Sequence, residues 1–377
     1  MRILFVTPWF PNRTSPRHGN FVERFVEMVA TRHEVEVLHI EEDKALRAGT
    51  LESSVREKDY GRAITVYYGG AGARVQRLWA RRKAWQKAIA LLQLKPQLIH
   101  AHVLIDGGIV AEKLAKKFRV PFLISEHSSR HLRPIQWNRW PERYLARVAA
   151  AKAAAILPVS PTLARAMKSR GFRGHYRVVP NVVDDSLFHP RAPEPDRKTV
   201  RFLHVSDASP NKRPDLLIKA FALAHREVPQ LHLHLGTDGE QEPLRELINS
   251  WNLPHDRITL SGPHSPGEIA ELMQTADYFV LTSRHETQSV VLVEALLSGL
   301  YCLSTEAGGP QDILNQASLG ELVSDSPEVM AHRFVSLSKL PIPNLAHRMA
   351  IHQEAKKRFG KRHTQQLVET IYQQTVQ

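Results

Sequence analysis

The stretch NVVDDSLFHPRAPEPDRKTVRFLHVS, residues 181–206, decides how the chain is divided. Its first part, 181–199, is rich in Pro and Asp and holds no sustained period, the signature of a linker. Its last part, VRFLHVS (200–206), is an apolar run of strand length, and a helical pattern follows from about residue 214 to 227. A second alternation of strand and helix thus starts at residue 200. Before it, apolar runs at RILFVT, VEVLHI, AITVYY, QLIHAH, PFLISE, AAAILPVS and YRVVP alternate with helical stretches at 21–31, 84–92, 107–118 and 161–170. After it come LHLHLG, RITLSG, DYFVLTS and YCLST. This alternation predicts parallel sheets covered by helices, an α/β chain of two doubly wound domains. We expect domains at 1–180 and 200–346, a linker at 181–199, and a polar terminal helix at 347–377 packing back on the first domain. Open parallel sheets bind ligands beyond the carboxyl ends of their strands, so two sheets facing a central cleft would gather their loops around one ligand.

Composition narrows the class. The chain has 377 residues, 42% hydrophobic and 24% charged, as expected for a soluble protein with more than one core. No apolar segment reaches the roughly 18–20 residues of a membrane span. The start, MRILFVTPWF, reads as a buried strand and not as an export signal. The single cysteine, Cys302, excludes an intramolecular disulfide and fits a reducing compartment. A cytoplasmic protein is the expectation. Charge is unevenly placed: residues 1–180 carry 32 Lys and Arg against 14 Asp and Glu, a balance of +18, while the rest carries 19 against 24, a balance of −5. An anionic partner meeting only the first half would explain this asymmetry.

RHETQSVVLVEALLSG (284–299) carries two glutamates at a junction of strand and helix. Glu286 follows the apolar run YFVLTS, and the helix begins within about two residues. Backbone N–H groups near Gln288, Ser289 and Val290 would then form a helix N-terminus suited to a phosphate. Glu286 could bind sugar hydroxyls there, and Glu294 the two hydroxyls of a ribose. The plainer reading makes Glu286 a partner of the helix dipole and Glu294 a surface acid. Apolar neighbours at 290–293 and 295–297 argue against an exposed Glu294, because a charged group near a core needs a partner.

These residues, with their surroundings, resemble the donor site of the retaining glycosyltransferases of family 4, which have the two-domain GT-B fold. The resemblance covers nearly the whole chain. VTPWFPNRTSPRHGNFVERFVEMVA is similar to the family's first strand, glycine loop and helix; LIHAHVLIDGGIVAEKLAKKFRVPFLISEHSS, LPVSPTLARAMKSRGF and VVPNVVDDSLFHP match the rest of its first domain. HVSDASPNKRPDLLIKAF, LHLGTDGE, ADYFVLTSRHE and EAGGPQDIL match the second. The resemblance implies that Glu286 contacts the donor sugar and Glu294 the ribose. It implies that Lys212 neutralises the diphosphate leaving group, that the backbone of Gly19 approaches that diphosphate, and that His127 lies near the transferred sugar. Gly236, Gln288, Ser289 and Val290 would complete the donor site. No metal or other cofactor is implied, since a lysine, helix dipoles and amides can stabilise the leaving charge. The donor would be a UDP- or GDP-type sugar, and the acceptor a cell-envelope glycolipid or polysaccharide. Two departures stand out. Asp207 occupies the place where the family commonly has an arginine, so that Asp207 turns away, the neighbouring Arg213 compensates, or donor affinity is low, and Thr287, Gln288 and Ser289 replace a small–aromatic–small run. A non-catalytic sugar-nucleotide or envelope-binding protein on the same scaffold is the rival that these departures would fit. A GT-B epimerase is a more distant one.

Other features carry less. YYGGAGARV (67–75) lacks the third glycine or alanine of a dinucleotide loop and reads as a turn. His100, His102, His127 and His131 lack the cysteines or carboxylates of a zinc site. Two basic segments, residues 74–92 with Trp79 and Trp85 and residues 131–150 with Trp137, Trp140 and Tyr144, suit the inner face of a membrane or the solvated side of ordinary helices. Nucleic acid is not expected, because no reading motif is present.

Overall fold

The computed structural model describes residues 1–70, 72–133, 140–194 and 197–376, with Arg74 and Trp140 described by backbone alone. Ala71 of the glycine-rich turn, Trp137 of the second basic segment and residues 195–196 of the expected linker lie outside them. The chain divides into two compact units, one of Met1–Val182 with Thr364–Gln377 and one of Val183–His363.

The first unit contains β1 (Arg2–Thr7), α1 (Asn20–Ala30), β2 (Glu34–Glu42), β3 (Leu51–Lys58), β4 (Gly61–Tyr68), α2 (Arg74–Ala90), β5 (Leu98–His102), α3 (Ile109–Phe118), β6 (Phe122–Glu126), α4 (Trp140–Lys152), β7 (Ala155–Pro158) and α5 (Pro161–Ser169). The second contains β8 (Val200–Ser206), α6 (Pro214–Glu227), β9 (Leu231–Thr237), α7 (Glu242–Ser250), β10 (Ile258–Ser261), α8 (Pro266–Thr275), β11 (Tyr278–Leu281), α9 (Val290–Leu297), β12 (Tyr301–Thr305), α10 (Gly309–Ile313), β13 (Gly320–Val323), α11 (Pro327–Ser338) and α12 (Leu345–Phe359). The last helix, α13 (Lys361–Val376), belongs from Thr364 onward to the first unit.

Sheet order is β3-β4-β2-β1-β5-β6-β7 in the first unit and β10-β9-β8-β11-β12-β13 in the second. Every pairing is parallel except β3 with β4. Strand periodicity builds two cores per sheet. Leu4 and Val6 of β1 enter the core lined by α2, α3 and α4, while Ile3 and Phe5 enter the one lined by α1 and α13. Helix starts are set by local chemistry. Ser265 and Glu268 bond each other's backbone N–H at the head of α8, and Ser160 caps α5 just before Pro161.

Four differences from the sequence reading have physical causes. YRVVP forms no strand: Arg177 and Val179 donate to Ile156 and Pro158 carbonyls, but Pro158 has no N–H to continue the ladder. β3, LESSVREK, is an antiparallel edge strand whose charged residues hide its alternation. The expected linker is not a free connector: Asn181 and Val182 belong to the first unit, and from Val183 onward it joins the second, with Val183 and Phe188 buried in that unit's core. The terminal segment is two helices, α12 against the second core and α13 against the first, separated at Gly360. In addition, α2 starts ten residues before the helix expected at 84–92. Among the described residues no helix is long and apolar enough to cross a membrane.

Candidate functional site

In the second sheet the strand order reverses between β8 and β11, which opens a crevice at their carboxyl ends. Lys212 follows β8 and Glu286 follows β11, and the reversal brings them together. Lys212 Nζ lies 2.5 Å from Glu286 Oε1, which also accepts from Ser283 Oγ at 2.7 Å. The two loops are tied along their backbones. Thr282 Oγ1 donates to the Lys212 carbonyl, Arg284 N to the Asn211 carbonyl, and Asn211 Nδ2 to the His285 carbonyl. Glu286 is further held by its own N–H on Ala307 O and its carbonyl on Gly309 N, each at 2.8 Å. Both charged groups are therefore fixed by bonds along neighbouring strands.

Ser289 sits at the head of α9 with φ 70, a conformation strained for a non-glycine residue, and its side chain does not cap the helix. Its hydroxyl oxygen is buried without a hydrogen-bond partner. The first amides of α9, starting at Val290, have no carbonyl to bond within the helix. Gln288 is buried beside Ser289. Glu294 is 7% exposed between buried Leu292, Val293, Ala295 and Leu296, so it is no surface acid. A lysine, a fixed carboxylate, a helix start with an unsatisfied hydroxyl, and a second buried carboxylate can together hold a ligand bearing both anionic groups and paired hydroxyls. Gly236, at the end of β9, pairs in register with Val205 and Ser261, but a Cβ there would make only ordinary contacts with side chains. Asp207 turns onto its own loop, accepting from Ser209 N at 3.1 Å, and Arg213 is engaged by Asp215 and Asp325. Of the three alternatives for Asp207, the structure shows the one in which it turns onto its own loop, and Arg213 is satisfied by other carboxylates.

In the first unit, Gly19 has φ 80 at the head of α1, and a Cβ would stand 2.5 Å from the Trp9 carbonyl carbon. Both the handedness and the close backbone approach require glycine. The Phe21 ring, two residues on, lies 4.8 Å from the His127 ring. His127 Nδ1 donates to Asn181 Oδ1 at 2.9 Å, so its neutral ring accepts at Nε2 from His102 Nδ1, also at 2.9 Å. Both ring nitrogens are thus bonded within the unit. His100 is held between Tyr372 Oη at 2.6 Å and Ser125 Oγ at 2.8 Å. No group of three or more His, Cys, Asp or Glu among the described residues is placed to hold a metal ion.

Glu126, fully buried beside His127, accepts from the backbone N–H groups of Leu104, His127 and Ser128. Burial opposes its ionisation, but His131 and these donors outweigh it and hold the carboxyl down to about 2. Burial pushes the imidazoles the other way, His127 down to about 4 and His100 to about 3. The folded unit therefore binds fewer protons than the unfolded chain, whose histidines titrate near ~6.5 and glutamates near ~4.3. Stability should fall as pH drops from about 6.5 towards 4 through the histidines, and further towards 2 through Glu126. Thermal unfolding between pH 7 and pH 4 checks this, and a midpoint unchanged on acidification would contradict the burial described.

Sequence reasoning did not single out Ser283, Asn211, Gly309 or Asn181, and it weighed His102 only as a metal ligand. Only Gly309 left a local signal, in the paired glycines of EAGGPQDIL: a Cβ there would stand 2.4 Å from the Thr287 carbonyl oxygen.

Comparison with known proteins bears on the family and the fold. The model for glycosyl transferases group 1 matches residues 186–358, and the model for glycosyltransferase family 4 matches residues 19–187. Mannosylfructose-phosphate synthase of Agrobacterium fabrum is 29% identical over 36% of the chain and 34% of that protein. A phosphatidylinositol N-acetylglucosaminyltransferase subunit of Arabidopsis thaliana is 24% identical over 52% of the chain and 43% of that protein. The aligned stretch thus spans under half the length of either relative. Sucrose-phosphate synthase from Thermosynechococcus elongatus superposes with a TM-score of 0.77 at 19% identity, covering 99% of this chain and 98% of that one. Anabaena HepE in complex with UDP and glucose gives 0.69 at 19% identity, covering 99% of each. With two family models meeting end to end along it and a GT-B architecture throughout, the chain belongs to the family 4 glycosyltransferases.

Proposed function

We propose that the protein transfers a hexose from a UDP- or GDP-type sugar to a cell-envelope glycolipid or polysaccharide, retaining the anomeric configuration and using no metal ion. The observation that carries this reading is the Lys212–Glu286 pair at the strand reversal, beside a helix start whose buried Ser289 hydroxyl is unsatisfied. The bond from the anomeric carbon to the diphosphate breaks as the acceptor hydroxyl attacks from the same face, and the hydroxyl proton passes to the departing phosphate oxygen. Negative charge grows on the leaving oxygen, and the Lys212 ammonium and the α9 amides stabilise it more in the transition state than before. Glu286 orients sugar hydroxyls and Glu294 the ribose. The roles that the resemblance gives Gly19, His127 and Gly236 belong to the same proposal. A solved relative in complex with UDP and glucose, and another named for transfer to phosphatidylinositol, support the donor and acceptor classes. Work on such an acceptor would be done in the cytoplasm, at the inner face of the cell membrane.

The test is incubation with UDP- and GDP-hexoses and lipid-linked or polysaccharide acceptors, with NMR of the new linkage. Transfer with retention, undiminished by EDTA, is expected. Donor converted to another hexose without any acceptor would mean an epimerase, and binding without turnover a non-catalytic protein. Gly309→Ala adds a structural check. The added methyl would displace the Thr287–Gln288 backbone, so nucleotide binding should weaken about tenfold, ~1.4 kcal/mol, with circular dichroism unchanged.

A further inference from the structure

Helix α2 is buried along its second half and bare along its first. Ala80, Ala84, Trp85 and Ala88 enter the first core, whereas Val75, Leu78 and Trp79 are 76%, 48% and 58% exposed. Positions 75, 78 and 79 fall on one helical stripe, and Arg82 and Lys83 continue it one turn on. Lys83 Nζ lies 3.6 Å over the Trp79 ring. Arg77 and Arg81 point elsewhere, Arg77 to Gly70 O and Glu42, Arg81 to Asp106. Among the described residues neither Arg82 nor Lys83 has an ion pair. Exposed Tyr144 and Leu145 lie on α4, and α2 and α4 pack on the same core of the first unit.

The chemistry of this face selects among occupants. The 17 residues of α2 contain six Lys and Arg and no acid. Protein interfaces are depleted of lysine and of unopposed charge at their centres. A tryptophan flanked by cations that have no ion pair among the described residues, on an apolar stripe, instead matches the headgroup level of a bilayer, where the ring sits at the boundary and the cations reach lipid phosphates. The excess of +18 over residues 1–180 extends the attraction beyond the helix.

We propose that the exposed half of α2 docks on an anionic bilayer, with Val75, Leu78 and Trp79 entering the headgroup region and Arg82 and Lys83 holding lipid phosphates. This deepens the proposed function by naming the surface that meets the acceptor's membrane, and it is read without any transfer reaction.

The experiment is co-sedimentation of the full chain with vesicles of phosphatidylcholine alone or mixed with phosphatidylglycerol. Binding to mixed vesicles only, weakened by salt, is expected. Leu78→Ser with Trp79→Ser, and separately Arg82→Gln with Lys83→Gln, should each lower partitioning at least tenfold while nucleotide binding, read by calorimetry, stays as in the wild type. No binding by the wild type, or binding unaltered in both double variants, would overturn the proposal. So would a dimer in sedimentation velocity that the same substitutions dissociate, because a second copy would then be the occupant. Loss of nucleotide binding by the wild type with vesicle binding kept would count against the donor site alone.

Discussion

Lys212→Ala is expected to abolish measurable binding of the nucleoside diphosphate that the wild type binds. The Lys212 ammonium and the Glu286 carboxylate neutralise each other, with side chains 20% and 12% exposed. A diphosphate entering beside them gains the ammonium as partner. Without Lys212, it meets Glu286 alone, and two like charges then share a partly desolvated site. Truncating one member of a buried charged pair costs about 2–5 kcal/mol, at least thirtyfold in affinity. Glu294→Ala should act by a different route. It removes the acceptor of two ribose hydroxyls from an apolar surrounding, so free diphosphate binding is kept and nucleotide binding is lost. Glu286→Gln provides the sharpest contrast. With the carboxylate neutralised, Lys212 is freed for phosphate, so affinity for the free nucleoside diphosphate should rise while sugar transfer falls. Calorimetric titration with UDP, GDP and ADP reads all three variants. A wild type that binds none of these nucleotides would remove the basis of the assignment.

What could be read from the sequence follows a physical division. The restart of the strand–helix pattern at Val200 is local, written in period and composition, and so are the strand ends that carry Lys212 and Glu286. Glu294 was legible as buried because its neighbours are apolar on every side. Features that depend on distant parts of the chain left no such mark. His100 and Tyr372 meet across most of the sequence, and nothing near either one announces the other. The split of the terminal segment at Gly360 follows from which core each helix can reach, and its polar residues look alike on both sides. Ser289 was placed correctly at the head of a helix, yet its positive φ is forced by the loops around it and not by serine itself. β3 escaped for the reason edge strands generally do: the charges that keep it from pairing with other chains also erase its alternation.

Asp277 belongs to the same hidden class, and its removal should be the most damaging single change in the second unit. It stands one residue before β11, fully buried, and it is the only anion that the structure gives two buried arginines among the described residues. Its Oδ1 pairs with Arg197 and with Arg348 Nη2 at 3.1 Å, and its Oδ2 accepts from Arg201 N at 2.9 Å. Arg348, brought in by α12, is itself 1% exposed and bonded to the Pro343 carbonyl. The triad thus joins the strand before the donor loop to the helix that ends the unit. Asp277→Ala would leave two guanidinium groups without an anion, which costs about 3–5 kcal/mol, a large part of a domain's ~5–15 kcal/mol. Replacing all three residues with apolar ones of similar volume should recover much of that loss, because the desolvation cost disappears with the charges. A chain of two units need not unfold in one step, so urea denaturation of Asp277→Ala should separate into two transitions. The earlier one should coincide with loss of nucleotide binding. The later one should retain the acid sensitivity of the first unit, whose histidines and Tyr372 do not touch the triad. A single transition at the wild-type midpoint would mean that the buried arginines find other partners, and the triad would then not be what holds α12 to the second core.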